Sequence, residues 1–167
     1  MVPSHLFICF SSKDEATARE VVDFLEAKGL TCWISSRDVL PGQNYQEAIV
    51  AAIERATGIV FLFSESSSKS GEIRKELSIG SSINVPVFPL RLSPVAPTGA
   101  LRYELATRQW IDIFPDRAQA LGKLAETIKH VMAGGAAEQD AASHRRSDFH
   151  ADSPAARTDC RRWQSGI

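Results

Sequence analysis

Residues 58–80, GIVFLFSESSSKSGEIRKELSIG, combine a strand, a polar loop and the first turns of a helix in one stretch. The run GIVFLFS is almost continuously apolar, which is typical of a strand buried on both faces of a parallel sheet. The serine-rich loop then leads into a helix that begins after Ser70 and directs Ile73, Leu77 and Gly80 inward. A strand followed by a helix of this kind is the repeating unit of an α/β protein.

The same alternation continues on both sides of this stretch. The strand candidates are LFICF (6–10), TCWI (31–34), GIVFLFS (58–64), VPVFPLRL (85–92) and RQWIDIF (108–114). The other helix candidates run from about Lys13 to Lys28, from Tyr45 to Ala56 and from Arg117 to Met132. The segment 93–105 is interrupted by prolines and is predicted to be irregular, with one helical turn. This order of elements predicts an α/β domain with a parallel sheet.

The end of the domain is marked by a change in composition. From Gly134 onward the chain has few aliphatic residues and no sustained period. Such a segment cannot bury enough apolar surface to offset the entropy of ordering. We therefore predict a folded domain over residues 5–133 and a disordered tail over residues 134–167.

Composition and charge exclude several classes of protein. The chain has 167 residues, of which 44% are hydrophobic, and its formal net charge is −1. This charge gives no support for nucleic-acid binding. No apolar stretch approaches the roughly 20 residues that a membrane span needs, and the N-terminus lacks the basic region of a secretion signal. We therefore expect a cytoplasmic protein without nucleic-acid or membrane partners.

The cysteines give no indication of a metal site or a disulfide framework. They are Cys9, Cys32 and Cys160, an odd number whose spacings match neither a zinc pattern nor a CxxC motif. Cys9 and Cys32 lie in apolar strand candidates, where cysteine is most simply a small core residue. A reducing compartment and the absence of a metal are the expectation.

Three loops are predicted to meet at one edge of the sheet. In an open parallel sheet, ligands bind outside the carboxyl ends of the strands. The loops that leave this edge are residues 10–14, 33–45 and 64–71. This topology predicts that Ser12, Trp33, Asp38 and Glu76 converge, although they are far apart in the sequence.

Glu72 and Glu76 lie four residues apart, on the same side of the helix that follows Ser70, where like charges are mildly destabilising. At about 100° per residue, Glu76 borders the stripe of Ile73 and Leu77, whereas Glu72 points further outward. A carboxylate at such a margin is partly desolvated, which raises its pKa. Glu76 is therefore the candidate catalytic residue, and the alternative is an ion-paired glutamate on a helix surface.

Each of the other candidates also has a purely structural interpretation. Trp33 either packs in the core or stacks on a flat ring, and Asp38 either braces a turn before Pro41 or contacts a ligand. Ser11 and Ser12 either cap a helix or border a pocket. The chain contains no GxGxxG after the first strand, no GxxxxGK[ST], no HExxH and no GxSxG. Because no histidine falls in a predicted edge loop, any chemistry there depends on a carboxylate and an aromatic side chain.

Several ordered segments resemble Toll/interleukin-1 receptor (TIR) domains. LFICFSSKDE (6–15) is similar to their first signature box, and CWISSRDVLPGQNYQEAIVAAIERATGIVFLFSESS (32–67) to their strand B, BB loop, helix B and strand C. SGEIRKEL (70–77) aligns with the segment after strand C, and QWIDIF (109–114) with the last strand. The resemblance covers about residues 5–133, and its C-W-I and R-D-x-x-P-G segments are most similar to bacterial TIR proteins.

This resemblance implies a flavodoxin-like three-layer sandwich, with a five-stranded parallel sheet and helices on both faces. It implies cleavage of the nicotinamide–ribose bond of NAD+, as a substrate and not as a cofactor, to give nicotinamide and ADP-ribose or a cyclic isomer. Glu76 matches the glutamate that is essential in NAD-cleaving members. The candidate substrate-binding residues are Phe10, Ser11, Ser12, Trp33, Asp38, Ser70 and Glu72. The BB loop, about Ile34 to Asn44, is implied to dock on a neighbouring protomer and activate the enzyme, with other TIR domains as further partners.

One position departs from the pattern of many NAD-cleaving relatives, which have an aromatic residue where this chain has Glu72. Two other functions therefore remain open from the sequence. One is a non-catalytic interaction module for signalling or host interference, in which Arg37, Asp38 and Pro41 mediate assembly. The other is an enzyme similar to nucleoside N-glycosyl transferases, which would use a similar carboxylate.

Overall fold

Five parallel strands form the central sheet of this protein, and a computed structural model describes residues 4–147 of the chain. The strands are β1 (His5–Cys9), β2 (Cys32–Trp33), β3 (Ala56–Phe63), β4 (Val87–Arg91) and β5 (Ile111–Asp112). They lie in the order β2-β1-β3-β4-β5, and every pairing is parallel. Each strand overlaps its predicted segment, so the prediction of a five-stranded parallel sheet is confirmed.

Helices connect the strands and cover the sheet. They are α1 (Glu15–Ala27), α2 (Ser35–Asp38), α3 (Tyr45–Glu54), α4 (Glu65–Ser68), α5 (Gly71–Ser82), α6 (Gly99–Leu105) and α7 (Arg117–Ser147), and a 3-10 turn at Ser12–Asp14 precedes α1. The sequence pattern does not predict α2 and α4, because a single helical turn is too short to display a period. It also underestimates α6, which lies in the segment expected to be irregular.

Alternation along β1 divides the core into two layers. Leu6 and Ile8 pack with residues of α1 and α7, whereas Phe7 and Cys9 pack with residues of α3 and α5. All four side chains are almost inaccessible to solvent. The interior strand β1 is therefore buried on both faces, and the three-layer flavodoxin-like arrangement is confirmed.

Side-chain contacts hold the loops at the carboxyl edge of the sheet. The Ser64 hydroxyl donates to Oδ2 of Asp14 at 2.5 Å, which joins the loop after β3 to the 3-10 turn after β1. Asn44 caps α3 by accepting two backbone N–H groups of its first turn. Ser70 caps α5 by accepting the N–H of Ile73 at 3.4 Å. These caps explain why both helices begin at this edge.

The last helix continues past its predicted end at Met132 and reaches Ser147. Residues 133–147 continue this helix, and their Ala, Glu, Gln and Arg residues favour it even without an apolar stripe. The boundary near residue 133 and the tail over residues 134–167 stay predictions. Contacts divide the described residues into two units between Met132 and Ala133. The rest of the predicted tail, residues 148–167 with Cys160, lies outside the described part. Within residues 4–147, no helix is long and apolar enough to cross a membrane.

The packing of α5 against β3 can be tested at Gly80, where the helix backbone lies close to the side chain of Ile59 in the strand. A Cβ added at Gly80 would collide with Cδ1 of the fully buried Ile59. We expect Gly80→Ala to lower the free energy of unfolding by about 1–3 kcal/mol, because overpacking outweighs the gain in helix propensity. The matched control is Gly122→Ala in α7, where an added Cβ meets nothing within 4 Å. That change should raise the free energy of unfolding by about 0.5–1 kcal/mol. Urea unfolding measures both variants, and a stabilising effect of Gly80→Ala would contradict the close packing of α5 against β3.

Candidate active site

A cavity of about 580 Å³ opens at the carboxyl edge of the sheet. The loop after β1, the start of α3 and the first turns of α5 form its wall. Its lining includes Phe10, Ser11, Ser12, Tyr45, Ile49, Ser70, Glu72, Lys75 and Glu76. The size lies in the range of small-molecule pockets in proteins. The cavity therefore occupies the place at which an open parallel sheet is expected to bind a ligand.

Glu76 is the half-buried carboxylate of this cavity. Its Oε2 atom accepts a hydrogen bond from Sγ of Cys9 at 3.0 Å. Burial raises the pKa of Glu76 to about 7, the Cys9 hydrogen bond opposes this rise, and the charge of Glu72 adds to it. The side chain consequently changes its charge near neutral pH, which is typical of a functional carboxylate.

Glu72 has a different environment, although it lines the same cavity. Its side chain is 68% exposed and pairs with Lys75 Nζ at 3.0 Å. An exposed pair of this kind contributes little to stability. The expected difference between the two glutamates, with Glu76 at the buried margin and Glu72 further out, is therefore present in the structure.

The structure brings four other predicted residues to the Glu76 cavity. Phe10 is half-buried, Ser11 and Ser12 follow it, and Ser70 lies at the start of α5. Ser11 precedes the 3-10 turn without a side-chain capping bond, whereas the Ser70 hydroxyl caps α5. Ser70 thus has a structural role as well as a place in the cavity wall.

Trp33 and Asp38 do not line the Glu76 cavity, which corrects the predicted convergence. Trp33 stacks on Phe7, with ring centroids 5.2 Å apart. Trp33 and Asp38 line a separate cavity of about 310 Å³, together with Arg55, which follows the end of α3. Opposite sides of α3 contribute to the two cavities, so the helix separates them.

Local contacts explain where Asp38 lies. Its Oδ2 atom accepts the backbone N–H of Ile34 at 2.8 Å. Its Oδ1 atom accepts from Arg37 Nε at 2.9 Å, and Arg37 also bonds the Cys32 carbonyl at 2.7 Å. Asp38 thus braces the turn after β2, which is the structural alternative considered for it from the sequence.

Two residues of the site were missed by the sequence analysis. Cys9 is a buried core residue, as predicted, but the sequence does not predict its contact with Glu76, which arises because alternation along β1 turns Cys9 toward the same layer as Ile73 and Leu77 of α5. Tyr45, the first residue of α3, lies at the cavity with 55% of its surface exposed. The Asn44 cap places Tyr45 at the sheet edge, so the start of α3 was a usable signal.

A metal has no evident place in the described part of the chain. Among residues 4–147, no group of three or more His, Cys, Asp or Glu side chains could hold a metal ion.

Another cavity, of about 650 Å³, lies beyond β5 and is lined by Trp110, Asp112, Phe114 and Lys123 among others. In this lining, the hydrogen bonds from Arg91 hold the pKa of Asp112 below its ordinary value, so Glu76 is the stronger chemical candidate.

Comparisons with known proteins agree on one family. The model of the TIR domain family matches residues 6–125 of this chain. The chain is 33% identical over 67 residues to a stimulator of interferon genes protein of Magallana gigas, a match that covers 40% of this chain and 16% of that protein. The chain thus corresponds to a small part of that relative's length.

Two solved structures share the fold. The TIR domain of the Toll-related receptor TRR-2 from Hydra magnipapillata has a TM-score of 0.64 and 23% identity, covering 76% of this chain and 99% of that one. A metazoan TIR-STING receptor from C. gigas, solved in complex with 2′,3′-cGAMP, has a TM-score of 0.63 and 24% identity, covering 75% of this chain and 39% of that one. At these identities, the likeness shows the fold alone.

The burial of Glu76 predicts a pH-dependent change in stability. Because its folded pKa of about 7 exceeds the unfolded value of about 4.3, the folded state binds more protons between these pH values. Stability is therefore full below the unfolded pKa and is lost as pH rises through about 7. We expect Glu76→Gln to raise the free energy of unfolding at pH 8 by about 2–4 kcal/mol and to change it little at pH 4.

The matched control for this effect is Glu54→Gln, at an exposed glutamate of α3 outside the cavity. Urea unfolding of both variants at pH 4 and pH 8 measures the difference. Equal effects of the two substitutions at pH 8 would contradict the buried environment assigned to Glu76.

Proposed function

Because the chain belongs to the TIR domain family, we propose that it is an NAD+ glycohydrolase. It cleaves the nicotinamide–ribose bond of NAD+ to give nicotinamide and ADP-ribose or a cyclic isomer. The match over residues 6–125 confirms the family resemblance inferred from the sequence. The activity itself is a proposal, supported by the chemistry of the cavity, with NAD+ as the substrate and no cofactor required.

The observation that carries the proposal is the half-buried Glu76 carboxylate in the wall of a cavity of about 580 Å³. Its pKa of about 7 leaves a large charged fraction at neutral pH. A charge that is only partly hydrated interacts more strongly with a neighbouring cation than a fully solvated one does. The cavity therefore provides a site for a ligand whose reacting group is positively charged.

NAD+ fits this chemistry because its cleavage needs no general acid. The ring nitrogen of the bound nicotinamide is already cationic. When its bond to ribose C1′ breaks, the nitrogen keeps the electron pair, so nicotinamide leaves as a neutral molecule. Glycosidases that expel an oxygen leaving group usually need a second carboxyl group to protonate it. One carboxylate is therefore sufficient for this reaction.

Glu76 acts on the positive charge that develops on the ribose. A fixed carboxylate stabilises this oxocarbenium-like state, most effectively where water is excluded, or it holds the ribose hydroxyls. The oxygen of a water molecule then bonds to C1′ and releases a proton, which gives ADP-ribose. An adenine nitrogen or a ribose oxygen of the same molecule takes the place of water when a cyclic isomer forms.

Phe10 and Tyr45 are the aromatic residues that we assign to substrate orientation. Both line the Glu76 cavity, whereas Trp33, the residue implied by the resemblance, stacks on Phe7 outside it. An aromatic side chain with an accessible face can stack on a nicotinamide or adenine ring. The exposure of Tyr45 at the mouth suits it to this role.

We further propose that self-association through the BB loop, about Ile34 to Asn44, activates the enzyme. Arg37 fixes the base of this loop through Glu26 and Asp38, while Leu40 in the loop is 60% exposed. An apolar side chain presented on a braced loop suits docking on a second TIR domain.

We place the protein in the reducing cytoplasm, where the free thiols of Cys9 and Cys32 persist.

The activity is tested by nicotinamide release from NAD+. We expect Glu76→Gln to lower the rate at least about 100-fold, because it removes the charge that stabilises the ribose cation. Glu72→Gln should cause a smaller loss, below about tenfold, and Glu54→Gln should cause none. In the unsubstituted protein the rate should rise as pH increases through about 7, because Glu76 must be charged.

The result also separates the alternative functions. If no nicotinamide is released by clustered protein at any pH, the non-catalytic interaction module becomes the better interpretation. If a nucleoside is cleaved with exchange of its base while NAD+ is not, the transferase-like enzyme is favoured. Full activity of Glu76→Gln would contradict the role given to this residue.

Activation by self-association predicts a rate that depends on concentration. The specific rate of nicotinamide release should increase with protein concentration and on immobilisation to beads, because assembly follows mass action. Leu40→Asp should reduce this increase, while Tyr103→Asp, at an exposed residue of α6, should not. A specific rate that stays constant over a wide concentration range would contradict the proposal.

A further inference from the structure

Cys9 is a buried residue of β1 whose thiol contacts the Glu76 carboxylate. It is the last residue of β1, and its Sγ donates to Oε2 of Glu76 at 3.0 Å. The Cys9 side chain is 0% exposed, and its backbone lies opposite Phe61 in the pairing of β1 with β3. The contact therefore ties a side chain of α5 to β1, an interior strand of the sheet.

The Cys9 thiol is a hydrogen-bond donor throughout the neutral pH range. Burial and the adjacent Glu76 charge raise the pKa of Cys9 well above its ordinary value. A thiol of this kind stays protonated, so it is a donor and not a nucleophile. A donor to a carboxylate favours its charged form, whereas burial favours the neutral form. The two effects act on Glu76 in opposite directions.

The other titratable groups of the cavity come from two helices. Glu72 and Lys75 lie on α5 and pair with each other, and Tyr45 lies at the start of α3. The loop after β1 contributes no charged side chain to the lining. Among the side chains that the structure describes, Cys9 provides the hydrogen bond that Glu76 makes.

We propose that Cys9 is the positioning residue of Glu76: its thiol fixes Oε2, leaves Oε1 for the substrate and maintains the charged carboxylate in a cavity that favours the neutral one. Cys9 acts through Glu76 and does not touch the reacting atoms. The effect on turnover rests on the proposed function. The effect on the ionisation of Glu76 follows from the contact alone and can be measured without NAD+.

The experiment compares Cys9→Val, Cys9→Ser and the matched control Cys32→Val. Valine fills the place of the thiol without a donor and leaves little space for water, whereas serine provides a stronger donor. Cys32 is the other buried cysteine of the described residues, and it packs in the opposite core layer. The side-chain carboxyl resonance of Glu76, assigned by its loss in Glu76→Gln, is followed through a pH titration without NAD+.

We expect Cys9→Val to raise the titration midpoint of Glu76 by about 0.5–1 pH unit and Cys9→Ser to lower it. Cys32→Val should leave it unchanged. An unshifted midpoint in Cys9→Val, or an equal shift in Cys32→Val, overturns the proposal. If Cys9→Val fails to fold, Cys9→Ser decides, since a midpoint at or above that of the unsubstituted protein also overturns it.

Nicotinamide release provides the second measurement. The acidic limb of kcat should move with the titration midpoint, and kcat at pH 7 should fall about two- to fivefold in Cys9→Val as the charged fraction of Glu76 decreases. An active protein whose limb is unmoved by Cys9→Val contradicts the positioning role and leaves the proposed function standing. A shifted titration in a protein that releases no nicotinamide contradicts the proposed function and supports the control of Glu76 by Cys9.

Discussion

The pairing of β1 with both β2 and β3 is the constraint on which the rest of the structure depends. It makes β1 the strand at which the connections diverge, so that space opens beyond its carboxyl end. Alternation along the same strand sends Phe7 and Cys9 toward α3 and α5. The cavity and the innermost contact of its carboxylate therefore both follow from the position of one short strand.

Two opposing effects determine the pKa of Glu76, the carboxylate in this cavity. Burial by α5 favours the neutral form of Glu76, and the Cys9 thiol favours the charged form. A more polar cavity would keep Glu76 fully charged but would surround it with water, which weakens its action on a neighbouring cation. A drier cavity without the thiol would leave it neutral. Under the proposed function, the loss of stability expected for a charged, half-buried Glu76 is connected with its action on the ribose cation.

The sequence predicted those features that repeat or that obey a periodic pattern. The alternation of strands and helices along the chain, the start of a helix after Ser70 and the buried margin at Glu76 all have local signals that a single turn or strand displays. The position of Trp33 has no such signal, because it depends on stacking against Phe7 of another strand. The Cys9 contact spans 67 residues of sequence, and only the packing of α5 against β1 brings these two side chains together.

A neutral fraction of Glu76 near pH 7 is compatible with a role toward a cation. Under the proposed function, the nicotinamide group enters with a positive charge, and an opposite charge nearby lowers the pKa of a carboxyl group. Substrate binding would then lower the pKa of Glu76 by linkage, so the charged fraction of Glu76 is highest when the scissile bond is in place. The thiol keeps this transition near neutral pH, because without its donor the carboxylate would begin further from the charged state. A weak, uncharged donor is suited to this purpose, since an arginine or lysine at the same place would neutralise the carboxylate toward the substrate.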